Sequence, residues 1–329
     1  MRMIVVPRLG GPEVLTLVDV AQPTPAADQV LIKLRYATLS YGDVYQREGT
    51  YRTSPMQPGE APLQIGGEGC GTVTAIGAHV TDLKAGDRVV FGNHMGAYAE
   101  YAAVPARNVV RIPDGISFED AAGTMGQGVT AHYLAYDTGK LAPGMSCLIH
   151  AAAGGVGHCL LQLARLRGAQ VVATVGSRDK AGFVERLGAD KVILYRDEDF
   201  LAAVRKWGDG KGVDVVYDAV GPETLAKSIQ ATRVRGLCVL YGNSSGVVDA
   251  VAPMDLAAAG SIFFTRPRLA HHMRDRAEIQ RRVQDLFGAM QDGKLRLTLN
   301  RSFPLDQVVE AHHLLQSRQS IGKILLSME

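Results

Sequence analysis

The stretch MSCLIHAAAGGVG, residues 145–157, decides the fold. Cys147, Leu148 and Ile149 form a short apolar run of the kind a buried parallel strand requires, and a glycine-rich turn follows it. Beyond the turn, Val156, Leu160, Leu163 and Ala164 fall on one helical face. Strand, glycine turn and amphipathic helix make the first βα unit of a dinucleotide-binding sheet. Ala152, Gly154 and Gly157 spell AxGxxG, the GxGxxG fingerprint with Ala in its first place. Each small residue has a mechanical purpose: a tight turn, close approach of backbone to a pyrophosphate, and close packing of helix on strand. The phosphates would lie at the positive helix N-terminus. An ordinary tight βα turn would read the same, so the flanking sequence has to arbitrate.

A second apolar run, residues 171–175, ends about twenty residues beyond the fingerprint, where an NAD-binding unit places an acid for the ribose 2'-hydroxyl. Here the chain reads Gly176, Ser177, Arg178, Asp179, Lys180. No acid ends the strand, and two cations with a hydroxyl stand where a 2'-phosphate would be. Arg offers a planar fork and Lys a point charge, both suited to phosphate. NADP(H) is therefore expected over NAD(H). The alternative is that Asp179 caps a helix whose first turn carries Arg178 and Lys180 as solvated cations.

The chain has 329 residues, 47% hydrophobic and 21% charged, which suits about two globular domains. Its formal charge of +2 is made by dispersed Lys and Arg, so composition gives no electrostatic case for nucleic acid or a membrane surface. Cys70, Cys147, Cys159 and Cys238 lack CxxC spacing and read as buried thiols of a reducing compartment. His94, His132, His150, His158, His312 and His313 show no metal spacing and read as core or surface histidines. The first residues are strand-like rather than a signal peptide, and no apolar run reaches the ~20 residues of a membrane span. A cytoplasmic location is expected.

Residues 1 to about 120 read as β-rich, with strand-like runs at 14–18, 30–36, 71–76, 88–91 and 109–112 between Gly, Pro and Asp turns. The texture then changes to alternation. Helices are expected at 180–187, 199–207 and 222–232, and strands at 191–194, 213–220, 236–241 and 261–265, most of a doubly wound sheet. A long helix at 274–291, a strand at 295–299, a helix at 305–316 and a strand at 321–326 close the chain.

Several stretches together resemble the zinc-independent, zeta-crystallin-like quinone oxidoreductases of the medium-chain dehydrogenase/reductase superfamily. They are LGGPEVL (9–15), GGEGCG (66–71), KAGDRV (84–89), GQGVTAHYL (126–134), HAAAGGVG (150–157), VVYDAVG (215–221), YGNSSG (241–246) and FTRP (264–267), collinear over nearly the whole chain. The resemblance implies an α/β protein: a Rossmann doubly wound parallel sheet at 125–267 plus a GroES-like β-rich catalytic domain from 1–124 and 268–329. It implies an active cleft where these meet, and a homodimer paired through the apolar strand at 261–265, whose exposed edge would otherwise invite aggregation.

The same resemblance implies NADPH as cofactor. Gly154, Gly155, Val156 and Gly157 would hold the pyrophosphate. Gly176, Ser177, Lys180 and Tyr195 would surround the adenosine ribose and its 2'-phosphate, with Arg318 reaching to the adenine-side phosphate. Thr130, Asn243, Ser244, Ser245 and Phe264 would approach the nicotinamide side. Each has a plainer reading: Tyr195 capping a strand, residues 243–246 as a simple turn, Arg318 as a helix-end cation. Ser40, Asp43, Tyr45, Tyr51 and Gln127 match a polar and aromatic cluster facing the nicotinamide, with Ser40 where the family motif has Asn. Tyr51 lies in a Pro, Gly and Ser-rich loop. No metal is expected: residues 37–45 hold no Cys, and Gly67 precedes Glu68 where zinc-dependent relatives carry a His.

The implied reaction is hydride, or one-electron, transfer from NADPH to a quinone, with Tyr45 and Ser40 polarising the carbonyl. Reduction of an enone or alkenal double bond would need the same parts. A non-catalytic NADPH-binding protein, crystallin-like or RNA-binding, is the third possibility, and the near-neutral charge counts against RNA.

Overall fold

The computed structural model describes residues 1–50 and 62–329. The chain divides into two compact units, Thr130–His271 and the combination of Met1–Val129 with His272–Glu329.

The Thr130–His271 unit is a six-stranded sheet in the order Lys191–Leu194, Gln170–Val175, Ser146–Ile149, Val213–Asp218, Thr232–Leu240, Phe263–Thr265. Every neighbouring pair is parallel. Parallel strands need crossovers, and helices on both faces bury the strands from either side, so they read as unbroken apolar runs rather than alternating ones. Cys147, Leu148, Ile149, Val171, Val172, Ala173, Val215, Val216 and Tyr217 are all buried. In chain order the strands run 3-2-1-4-5-6. The strand order changes direction between Ser146–Ile149 and Val213–Asp218, and the crevice beyond the carboxyl ends of those two strands is where such sheets bind ligands.

The other unit is β-rich. Thr16–Asp19, Arg2–Val6 and Leu63–Gln64 form a small antiparallel sheet. The main sheet runs Leu299–Pro304, Lys323–Ser327, Gln29–Leu39, Glu68–Ile76, Arg88–Gly92, Val109–Arg111, and Tyr101–Pro105 also pairs with Gln29–Leu39. Gln29–Leu39 is its spine: Val30, Ile32, Leu34, Ala37 and Leu39 point into the core. The end of the chain completes this sheet, Lys323–Ser327 lying antiparallel on the spine with Ile324 opposite Leu39 and Leu326 opposite Ala37. That pairing explains why the chain returns to β structure after the parallel sheet.

Some boundaries differ from the expectation, each for a local reason. The strand expected at 295–299 begins only at Leu299 and runs to Pro304, because pairing with Lys323–Ser327 starts there. Leu295 and Leu297 are nevertheless buried, which is what made the segment look like a strand. The run at 213–220 stops at Asp218, whose carboxylate takes the amides of Val220 and Gly221 and turns the chain. The run at 14–18 is a 3-10 turn, Pro12–Val14, followed by the strand Thr16–Asp19.

Candidate functional site

The turn after Ser146–Ile149 delivers the chain into the helix Gly155–Leu166. Ala151 adopts the left-handed φ of 51° that lets the turn close. A Cβ at Gly157 would run into the Ala151 carbonyl oxygen and stand 2.8 Å from the Ala152 Cα, so only glycine allows helix and strand to meet there. At Gly154 a Cβ would stand 3.2 Å from the Ala151 oxygen. Gly154 is the N-cap residue and supplies no side-chain hydrogen bond, so the first-turn amides of Gly155, Val156 and Gly157 have no side-chain cap. Open amides at the positive end of a twelve-residue helix are a ready anion site.

The end of Gln170–Val175 carries the second group. Ser177 is the N-cap of the helix Arg178–Arg186, its hydroxyl accepting from the Lys180 N–H at 3.4 Å. The cap is therefore Ser177 and not Asp179. A Cβ on Gly176 would lie 2.6 Å from the Tyr195 hydroxyl oxygen, so the tyrosine at the end of the third strand leans over this glycine. Burial, and then the nearby Arg196, hold the Lys180 ammonium below its ordinary pKa. The Arg196 charge is thus felt at Lys180, on the helix that starts beside Gly176, Ser177 and a half-exposed Tyr195. Arg196 was not singled out from the sequence; its only signal is its place directly after Tyr195.

The turns after Val213–Asp218 and Thr232–Leu240 hold each other. The Ser245 N–H and hydroxyl both donate to the Val220 carbonyl, at 2.9 and 2.8 Å, and the Ser244 N–H donates to the Ala219 carbonyl at 3.2 Å. Asn243, Ser244 and Ser245 are thereby fixed at the edge of the switch-point crevice. Phe264 packs against the apolar core of this unit from the edge strand. Thr130 is half-buried in the helix Val129–Tyr133.

In the β-rich unit, the spine strand runs into the helix Tyr41–Arg47 through a reciprocal cap: the Asp43 carboxylate accepts from the Ser40 N–H (2.8 Å) and hydroxyl (2.9 Å). It also accepts from the Gly67 N–H at 3.3 Å and from the Tyr98 hydroxyl. Burial raises its pKa despite these donors. Tyr45, on the same helix, is buried with its ring centroid 5.9 Å from that of Tyr41. The π-helical turn Thr124–Gly128 brings Gln127 to the same strand end, where its amide donates to the Leu39 carbonyl at 3.2 Å while its buried Oε1 accepts no hydrogen bond.

That turn is held by Glu68, which accepts from the Met125 N–H at 2.7 Å. Burial lifts the Glu68 carboxyl to a pKa of about 7, against the amides of Gly126 and Met125 and the charge of Lys323, which pull it down. Lys323 is itself buried, donating to the carbonyls of Glu119 and Ala122, and burial lowers it to about 8. Glu68 was legible only as part of a glycine motif, and Lys323 carried no signal. Arg318 stands in this unit, hydrogen-bonded to Tyr41, and adopts a left-handed φ of 58°. Tyr51 and the residues that follow it to 61 lie outside the described residues. Among the described residues no three His, Cys, Asp or Glu side chains are grouped to hold a metal ion. No described helix is long and apolar enough to cross a membrane.

Residues 26–114 match the alcohol dehydrogenase GroES-like domain and residues 155–286 the zinc-binding dehydrogenase family. A 2-haloacrylate reductase of a Burkholderia species is 39% identical over 98% of this chain and 97% of its own. A quinone oxidoreductase of Pseudomonas aeruginosa is 38% identical over 96% of both chains. Among solved structures, the Escherichia coli quinone oxidoreductase complexed with NADPH is 35% identical and superposes with a TM-score of 0.94 over 99% of this chain and 100% of that one.

Proposed function

The chain belongs to the quinone oxidoreductase family of the medium-chain dehydrogenases and reductases, and from that premise we propose that it is an NADPH-dependent quinone oxidoreductase. The observation that carries the cofactor is the pairing of an uncapped, glycine-lined helix N-terminus with the Lys180–Arg196 cations at the end of the neighbouring strand. The amides of Gly155, Val156 and Gly157 suit a pyrophosphate. Two cations beside a hydroxyl, with no acid ending the strand, suit a ribose 2'-phosphate better than a bare 2'-hydroxyl. Tyr195 would pack on the adenosine side, Thr130, Asn243, Ser244, Ser245 and Phe264 would border the nicotinamide side, and Arg318 would meet the adenine-side phosphate.

When bound, the reduced nicotinamide supplies the hydride. The chain's own task is to orient donor and acceptor, exclude water and meet the charge that develops on the substrate oxygen. We assign Tyr45 the role of donating to that oxygen. The Ser40 hydroxyl proton is directed at Asp43, so Ser40 serves a substrate only by turning away from that carboxylate, and its first duty is to cap the helix that carries Tyr45. Gln127 Oε1, buried and without a donor, is an acceptor for a substrate hydroxyl or a cofactor amide. Tyr51 completes the proposed cluster. The reaction runs without zinc, since Gly67 stands where a ligand would be needed and charge is met by side chains instead.

Reduction of an activated carbon–carbon double bond is the second reading, favoured by the similarity to the 2-haloacrylate reductase. We also place the protein in the cytoplasm, as a dimer joined through Phe263–Thr265. This edge strand presents Phe263, 66% exposed, with Val234, 65% exposed, on the adjacent strand.

The deciding experiment follows oxidation of NADPH, with NADH as control, against 1,4-benzoquinone, a simple enone and 2-chloroacrylate. Quinone-dependent oxidation with NADPH preferred is the expected result. Turnover with only the alkenes would move the protein to the double-bond reductases, and nucleotide binding without turnover on any acceptor would leave it a binding protein. Metal analysis finding one zinc per chain would overturn the zinc-free mechanism.

A further inference from the structure

Three strand ends around the switch-point crevice are joined by a buried chain of polar side chains that the proposed reaction does not use. His150, at the end of the first strand, lies with Nδ1 2.9 Å from the Thr174 hydroxyl, near the end of the second, and Nε2 3.0 Å from the Ser228 hydroxyl. Ser228 donates to Asp218 Oδ2 at 2.7 Å. Asp218 ends the fourth strand and also accepts from the Thr224 hydroxyl (2.8 Å to Oδ2) and from the Val220 and Gly221 N–H groups (2.8 and 3.0 Å to Oδ1). His150, Asp218 and Ser228 are wholly buried, or within 1% of it.

The order of the chain excludes the obvious chemistry. In a nucleophilic triad the base sits between carboxylate and hydroxyl; here the serine is in the middle. Its proton is directed at Asp218, so its oxygen must accept from His150 Nε2–H, which leaves Nδ1 to accept from Thr174. Neutral imidazole in that tautomer satisfies every partner, and burial, the largest influence on the ring, lowers its pKa and favours the neutral form. A serine shut from solvent and saturated in this way attacks nothing.

What the chain holds is a turn. Oδ1 of Asp218 fixes residues 219–221, with Gly221 at φ 101°, and Thr224 fixes their far end. This turn in its place anchors the neighbouring loop through Val220 and Ala219, which accept from Ser245 and Ser244. On the other side, His150 immediately precedes the phosphate turn, and its N–H donates to the Tyr217 carbonyl at 3.0 Å. We infer that His150, Ser228 and Asp218 are positioning residues that lock the phosphate turn and the Asn243–Ser245 loop into one register, fixing the nicotinamide end of the cofactor without touching it. The inference rests on the NADPH reading.

Calorimetric titration with NADPH and with 2',5'-ADP, which lacks the nicotinamide end, tests it. In Asp218→Asn the amide oxygen can keep the Val220 and Gly221 bonds as neutral ones while the amide nitrogen cannot accept from Ser228 and Thr224, and NADPH affinity is expected to fall about tenfold while 2',5'-ADP affinity stays within about twofold. Thr224→Val, which keeps the carboxylate and its remaining donors, is expected to lose about threefold on NADPH alone, restored in Thr224→Ser. It serves as the arbiter should Asp218→Asn fail to fold. Equal losses on both nucleotides, or no loss on either, would overturn the positioning role. A wild-type protein that binds neither nucleotide would instead bring down the cofactor reading, and this inference with it.

Discussion

Glu68→Gln is expected to make the protein's stability less sensitive to pH in a defined window. The carboxyl has an ordinary pKa of 4.5 and stands at about 7 in the fold, burial being the main cause and the Asp43 charge a minor one in the same direction. Between those values the folded chain holds a proton that the unfolded chain has released. The stability contributed by this group is therefore complete below about pH 4.5 and is lost as the pH rises through about 7. Two and a half pKa units correspond to about 3 kcal/mol. Glutamine keeps the shape and a carbonyl for the Met125 amide but cannot ionise. Urea unfolding of both proteins at pH 5 and pH 8 reads the difference, and the titration of Lys323, common to both, largely cancels. The glutamine variant should gain on the parent by about 2–3 kcal/mol between the two conditions. A gap that does not move with pH, or that moves the other way, would refute the assignment of a protonated Glu68 beneath the Thr124–Gly128 turn.

Other expectations follow from single contacts. Lys180→Ala should weaken NADPH by about 10- to 100-fold, the worth of a charge-assisted bond, and leave NADH unchanged, with Arg196→Ala moving the same way; KM values for the two nucleotides check both. Gly157→Ala should abolish tight nucleotide binding and lower the melting temperature, because a Cβ there meets backbone that cannot yield, at a cost of about 1–3 kcal/mol. Phe263→Asp should convert a dimer to monomer in light scattering without altering nucleotide affinity; an unchanged mass would remove the edge strand from the interface.

The parts of this protein that could be read from its sequence are those where neighbours in the chain are also neighbours in space. The glycines of 152–157 are demanded by a turn of six residues, and the missing acid after residue 175 sits one residue from the strand it ends. Apolar runs announce strands buried on both faces. The groups that could not be read pair across long separations: Glu68 with Met125 over 57 residues, His150 with Ser228 over 78, and Lys323 with the Ala122 carbonyl over 201. No spacing rule links such positions. Residues 295–299 misled for a related reason, since burial of Leu295 and Leu297 imitates a strand whose ladder starts only at Leu299.

Those distant pairs share a physical motive. The turns that would border the proposed nucleotide and substrate sites are irregular, so their amides have no ladder to enter and must be met by something else. In both units the answer is a buried carboxylate: Asp43 takes the Ser40 and Gly67 amides, Glu68 the Met125 amide, and Asp218 those of Val220 and Gly221. A carboxylate has about four acceptor positions and bonds amides roughly twice as strongly as a neutral oxygen, so one side chain can hold a whole turn. The cost is desolvation, visible in the raised pKa values of Asp43 and Glu68. It follows that isosteric amides at Asp43 and Asp218 should loosen the site before they unfold the chain, so that nucleotide binding, not melting temperature, is where their effect should first be read; Glu68, held protonated below about pH 7, is the exception.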